Sequence, residues 1–287
     1  MPSLIDIRRR IRSVRSTQQI TKAMKLVSAA KLRRAHERVL AARPYAALIR
    51  QMLAAVSARL PASHDPPHPL LERRTENSVL LLLLTGDKGL AGAFNTNLIK
   101  ASQAFLQEHA AARVDLELIG RKGRDFYRRR KVSISGEHVN VFGKVDYALA
   151  KSIAQKAIQR FSAGEVDAVY LLYNEFKTVL SQKLVVDRIL PLSAPAGEGS
   201  PAVDYIAEDP LPEILAALLP RYVEVQVYHA MLESAAAEHA ARMTAMDAAT
   251  TNAGEMIDKL TLFMNRVRQA SITREIIEVV SGAAAIG

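Results

Sequence analysis

Cysteine and tryptophan are both absent from the 287 residues, and aromatic side chains make up only 5% of them. Without thiols the chain has no disulfide staples, no thiolate metal ligands and no thiol-based redox control, a composition that suits a reducing compartment. Glycine is missing from residues 1–60, where Pro44 is the one internal helix breaker. The longest apolar run, Val79–Leu84, is far shorter than the roughly 20 residues needed to span a bilayer as a helix. The apolar residues of the basic N-terminus are spaced rather than clustered, unlike those of a signal peptide. These features predict a soluble protein.

Charge is present in excess, but unevenly. The net charge is +10; residues 1–60 hold 14 Lys/Arg against 2 Asp/Glu, so the remainder is slightly acidic. A solvated helix face explains that bias, and so does a match to acidic surroundings, whether nucleic acid or an acidic protein surface. Charge alone leaves both readings open.

The two ends share one rhythm. Apolar residues step by three and four from Leu4 through Ile7, Ile11 and Val14, and again from Leu32 to Leu60. The same alternation runs from Leu215 to Val267. It is the heptad seam of paired helices. The spacing predicts helices over residues 1–60 and 212–287, with a bend or an early break at Pro44 and Pro220. Between them the period changes. Residues 61–77 hold four prolines and read as a linker, and residues 193–211 as a Gly/Pro-rich connection. Strands are expected at Val79–Thr85, Val114–Gly120, Val132–Ile134, Val166–Tyr173 and Ser181–Pro191. Helices are expected at Thr96–Ala112, Arg124–Arg130 and Asp146–Ser162. Strands alternating with helices make a mostly parallel sheet. The expected fold is therefore an α/β, Rossmann-like domain over 78–192, inserted between long N- and C-terminal helices that form an antiparallel left-handed coiled coil.

The seam is not uniform. Gln18, Thr21, Lys25 and Ser28 put polar groups at heptad positions, while Ile20, Met24 and Val27 stand beside them. Beyond Val267 the apolar residues Ile272, Ile276 and Val279 shift phase. Off-seam apolar residues need burial somewhere, so these stretches are expected to face a third surface and not only each other.

Several long motifs then carry a resemblance. Ile11–Leu32 (IRSVRSTQQITKAMKLVSAAKL), Thr85–Asn95 (TGDKGLAGAFN), Arg242–Asn252 (RMTAMDAATTN), Asn265–Glu275 (NRVRQASITRE) and Ile277–Ala284 resemble, in this order, segments of the gamma subunit of F-type ATP synthase. The resemblance implies a rotor with no active site, cofactor or metal of its own. It implies partnership with three alpha and three beta subunits, an epsilon subunit and a membrane-embedded c ring, with membrane contact only through that ring. It also implies a peripheral location on the cytoplasmic face of a bacterial inner membrane. Carried over by position, Arg268, Gln269, Thr273 and Glu275 match contacts with the beta catch loops. Lys22, Met24, Lys25, Lys88 and Ala91 match residues near the moving beta lever. Tyr205 and Glu208 match the face toward the c ring and epsilon. Many relatives have Cys where this chain has Ala91.

Other readings have less to stand on. Gly86–Gly92 follows a strand and is glycine-rich, but it matches neither a P-loop nor a dinucleotide fingerprint. His229 and His239 fall on the heptad seam, as helix contacts rather than metal ligands. The basic first helix lacks the interleaved aromatics of a nucleic-acid module, and a structural coiled coil without a rotary role is the remaining alternative.

Overall fold

The computed structural model describes residues 3–59, 68–192 and 210–286, except for the side chains of residues 58 and 282–286. Two long helices, α1 (Leu4–Arg59) and α5 (Leu211–Ile286), flank five strands and three shorter helices. Neither internal proline ends its helix: Pro44 and Pro220 lie within continuous α-helix. Each proline removes one ladder bond, and long runs of Ala, Leu, Arg and Met on both sides favour helix strongly enough to carry the chain through.

The strands are β1 (Ser78–Leu84), β2 (Arg113–Ile119), β3 (Ser133–His138), β4 (Ala168–Phe176) and β5 (Gln182–Leu190). Their order across the sheet is β3-β2-β1-β4-β5, parallel except for the β4–β5 pair. β1 is central and buried on both faces, which explains its unbroken leucines. The helices α2 (Phe94–Glu108), α3 (Arg121–Tyr127) and α4 (Tyr147–Ser162) make the crossovers. Asp146 caps α4 by accepting from the Ala148 amide at 3.3 Å. β3 runs on to His138 and so exceeds the expected Val132–Ile134, because its polar residues suit an edge strand.

The chain divides into two compact units: residues 29–242, and residues 1–28 with 243–287. In the larger unit, α1 buries Leu32, Val39, Ile49, Leu53 and Val56. An 18-residue window of the helix Leu4–Ser57 reaches a mean hydropathy of 1.2, with 22% of it buried within the chain. In the smaller unit, α1 and α5 run antiparallel. Gln18 Nε2 donates to the Thr250 carbonyl at 3.4 Å, and Thr250 Oγ1 donates to Thr21 Oγ1 at 2.8 Å. Lys25 Nζ pairs with Asp247 at 2.6 Å. The polar heptad positions stay in the seam, where Thr21 and Ser28 are buried and hydrogen bonds replace apolar contact. Of the residues beside them, Ile20 and Val27 are exposed and Met24 is half-buried. The Lys25–Asp247 pair is itself half-exposed and contributes about 0–1 kcal/mol.

Candidate functional site: the loop after β1 and the free face of α5

In an open α/β sheet the ligand crevice lies at the carboxyl ends of the strands, where strand order reverses. Here that point lies between β1 and β4, and the chain's own helix α5 reaches both strand ends. The Phe176 amide at the end of β4 donates to Glu233 Oε2 at 3.0 Å. Glu233 is buried and also pairs with Arg43 and His229, each at 3.5 Å. Just after β1, the Glu238 carboxylate lies so close to Gly86 that a Cβ there would meet it at 2.9 Å. Arg242, one turn on, pairs with Glu238 and donates to the carbonyls of Lys88 and Gly89.

The loop is braced from within as well. The Gly86 amide donates to Asn95 Oδ1 at 2.8 Å. Asp87 accepts from the amides of Arg121, Asn140 and Phe142 at 3.1, 2.7 and 3.0 Å. Thr85 accepts from the Gly123 amide at 2.8 Å. Gly120 closes against this strand end with φ +106, and a Cβ there would meet the Thr85 carbonyl at 1.8 Å. A phosphate cradle offers free amides to its ligand. Here the amides of Gly86 and of the neighbouring loops are taken by side chains, so the glycine-rich loop works as a brace. Among the described residues, no group of three His, Cys, Asp or Glu side chains is placed to hold a metal.

What this brace presents to solvent is Leu90. Its side chain is 65% exposed and its φ is +60, the left-handed region that non-glycine residues avoid. Lys88 is exposed next to it, whereas Ala91 is buried. The position matched to a lever contact at Ala91 therefore points inward, and the neighbouring leucine is the outward group. Relief of the backbone strain is expected to make Leu90→Gly more stable by about 0.5–1 kcal/mol in urea melts, despite the extra chain entropy. A loss of stability instead would show that Leu90 packs within the chain.

His239 sits beside the clamp. Burial, then the charges of Arg242, Lys31 and Lys88, hold its imidazole down at about 4. Arginine only donates, so the 3.3 Å contact from Arg242 Nη1 assigns Nδ1 as the acceptor and puts the proton of the neutral ring on Nε2.

The matched residues near the chain's end lie in the smaller unit. Arg268, Gln269, Thr273 and Glu275 are all exposed on α5. At about 100° per residue, Arg268 and Glu275 share one face, and Gln269 and Thr273 share another roughly 120° away. Between them run Ile272, Ile276 and Val279, which are 48%, 57% and 72% exposed. An apolar stripe with a charged margin and an amide-hydroxyl margin is thus left uncovered. Lys22 is exposed, Met24 and Lys25 are half-buried, and all three belong to this same unit, whereas Lys88 and Ala91 belong to the larger one. Tyr205 and Glu208 lie outside the described residues. Sequence reasoning missed the Glu238–Arg242 clamp, although an acid and a base four apart on one helix was a signal for it.

Comparison with known proteins agrees with this architecture. Residues 3–286 match the family model described as ATP synthase. The chain is 62% identical over 286 residues to the ATP synthase gamma chain of Solibacter usitatus, covering 99% of each chain. It is 51% identical to that of an Anaeromyxobacter species over 290 residues and 50% identical to that of Pelotomaculum thermopropionicum over 287, with full coverage in both cases. Among solved structures it resembles a chain in the central stalk and c ring of the Tetrahymena thermophila mitochondrial ATP synthase, with a TM-score of 0.59 and 25% identity, over 80% of this chain and 99% of that one. A chain of the Euglena gracilis mitochondrial enzyme shares the fold at a TM-score of 0.66 and 19% identity, over 99% of this chain and 94% of that one. The chain belongs to the ATP synthase gamma-chain family.

Proposed function

We propose that this non-catalytic gamma subunit couples rotation to catalysis by pressing an asymmetric α5 surface against the beta subunits. The observation that carries this reading is the exposed Ile272–Ile276–Val279 stripe between Arg268/Glu275 and Gln269/Thr273. Apolar residues at this density are covered in a working assembly. Margins of different chemistry let the same helix meet three equivalent neighbours in three different ways. Arg268 brings a planar fork suited to carboxylates, and Gln269 brings a neutral donor and acceptor. Lys22, Met24 and Lys25 on α1, and Lys88 with the outward Leu90 on the loop, are the proposed contacts of the beta lever. Residues 1–60 and 212–287 serve as the rotor's helical part, and 78–192 as its α/β domain, joined by the linker 61–77 and the connection 193–211. Tyr205 and Glu208 face the c ring and epsilon. The partners are alpha and beta in three copies each, epsilon and the c ring, and the complex stands peripherally on the cytoplasmic face of a bacterial inner membrane.

Reconstitution tests the assignment. With alpha, beta, epsilon and the membrane sector present, Arg268→Ala/Gln269→Ala is expected to lower gradient-driven ATP synthesis about tenfold, a loss on the scale of one interface hot spot. The alpha–beta ring on its own should hydrolyse ATP as before, because no catalytic group has been touched. Unchanged synthesis in the double variant would remove these residues from the coupling surface.

A further inference from the structure

α5 is held to the α/β domain by buried ionic groups that the proposed coupling surface does not use. All of them belong to the larger unit. Glu224, Glu233, Glu238 and Arg242 are buried. The apolar packing around them is unusually smooth. Of the seven apolar side chains buried between Ala230 and Arg242, five are alanine: Ala230, Ala235, Ala236, Ala237 and Ala240. Helices pack by seating ridges in grooves, and alanine raises only a low ridge. Such a face resists unfolding, but it resists turning and sliding weakly. Hydrogen bonds to fixed backbone groups are directional and oppose both motions.

The ionic contacts fall on opposite sides of α5. At about 100° per residue, Glu238 lies about 140° and Arg242 about 180° around the helix from Glu233. Glu233 accepts from the Phe176 amide at 3.0 Å, while Arg242 donates to the carbonyls of Lys88 and Gly89. The strands are of unequal reach. Leu83 pairs with Leu172, and β4 continues four residues further to Phe176, roughly 13 Å. The end of β4 therefore grips one side of α5 and the loop after β1 grips the other. Contacts on one side of an axis make a hinge, whereas contacts on opposite sides resist rotation about it as a couple. Arg43 of α1 reaches the same Glu233 carboxylate at 3.5 Å, so α1 is tied in at one of the two grips. Further along, Glu224 accepts from Tyr147 at 2.9 Å and Gln155 at 3.1 Å, which adds a tie to α4.

We infer that Glu233 and the Glu238–Arg242 pair are the positioning residues that pass torque between the α/β domain and α5. This rests on the proposed function in one respect, that the chain turns under load. A single stretch of chain swivels about two soft dihedrals per residue, so a covalent connection alone passes little twist, and lateral contacts must carry it. Stability by itself does not call for these charges, because well-packed apolar groups of similar volume hold a fold at least as well. Buried charges add register: a helix that turns or slips leaves them unpaired.

The test separates grip from stability in the reconstituted complex. E238L/R242M replaces the pair with apolar groups. E233M and E233Q are close in size, but only glutamine keeps an acceptor for the Phe176 amide. Gln103 is exposed on α2, and Q103C gives this cysteine-free chain a unique attachment point for a bead, with the alpha–beta ring fixed to a surface. Drag on the bead then loads the path from α5 through the sheet. Loss of a charged hydrogen bond should make slips under drag, seen as backward jumps of the bead, about tenfold more frequent in E238L/R242M and E233M. E233Q should slip close to the parental rate. Parental slip rates in E238L/R242M and E233M would overturn the proposal. Slip rates that simply follow the urea midpoints of the three variants would also overturn it, since they would reduce these residues to a structural role. The parent chain tests the rotor reading separately: if that reading fails, the bead turns with no chain at all, whereas a failed joint leaves variants that turn as the parent does.

Discussion

Arg242→Ala is expected to destabilise the larger unit by about 3–5 kcal/mol, the cost of leaving a buried charge without its partner. Both side chains are nearly sealed, at 9% and 4% exposure for Arg242 and Glu238. Burial pushes the Glu238 carboxyl up even against the pull of Arg242, so without the guanidinium the ionised form has little to hold it. The same substitution orphans the Lys88 and Gly89 carbonyls. Urea melts followed by circular dichroism would measure the loss, and hydrogen exchange over residues 86–92 would locate it. Arg242→Lys should recover only part, because a point charge cannot bridge a carboxylate and two carbonyls as a planar fork does. Glu238→Leu/Arg242→Met should recover most of the stability, since removing both charges also removes their desolvation cost. A single alanine variant that melts like the parent would show that the clamp is not closed in solution.

The clamp illustrates what the sequence makes legible and what it hides. The strands were readable where burial on both faces left no polar residue, as in β1, and the long helices where the three–four rhythm persisted. β3 was read too short, because its polar residues look like loop until their partner is known. Gly136 of β3 lies under the Glu117 carboxylate, where a Cβ would meet Oε1 at 2.1 Å. Glu117, buried at 1% exposure, accepts from His138 at 2.8 Å and Lys156 at 3.0 Å, and Asp115, two residues earlier, meets Arg160 at 2.5 Å. Acids two apart on a strand share a face, and bases four apart on a helix share another. Which helix crosses which strand is a tertiary fact, so these pairs could not be read from either segment alone. The same holds at the candidate site. Motif matching picked out the loop and the end of α5, but pointed to Ala91, which is buried, beside Leu90, which is exposed. Exposure at a left-handed residue depends on a clamp supplied more than a hundred positions away.

Acid should open that clamp through His239. Its imidazole is held at about 4 in the folded chain against an ordinary 6.5. Between those values the unfolded chain binds the proton and the folded one does not, so stability rises with pH across the window. The contribution is complete above about pH 6.5 and is lost as pH falls to 4. A shift of this size corresponds to roughly 3 kcal/mol at most, and about 2 kcal/mol remains after allowance for the partial exposure of the ring. The structural cause is local. Protonating Nδ1 turns the acceptor for Arg242 into a donor and puts a second positive charge 3.3 Å from the guanidinium, with Lys31 and Lys88 adding to the repulsion. Glu238 acts with the opposite sign: its raised carboxyl gives stability that is present at low pH and lost as pH rises through its folded value. The wild-type slope is therefore the difference of two effects, and His239→Gln should expose the second. Glutamine still offers an oxygen to Arg242 but does not titrate. Urea midpoints from pH 7 to 4 should fall steeply for the wild type and stay level or rise for the variant, with His229→Gln as a control at another half-buried histidine whose imidazole is depressed by burial. Parallel curves for wild type and His239→Gln would mean that acid enters the fold elsewhere, and would detach the histidine from the clamp.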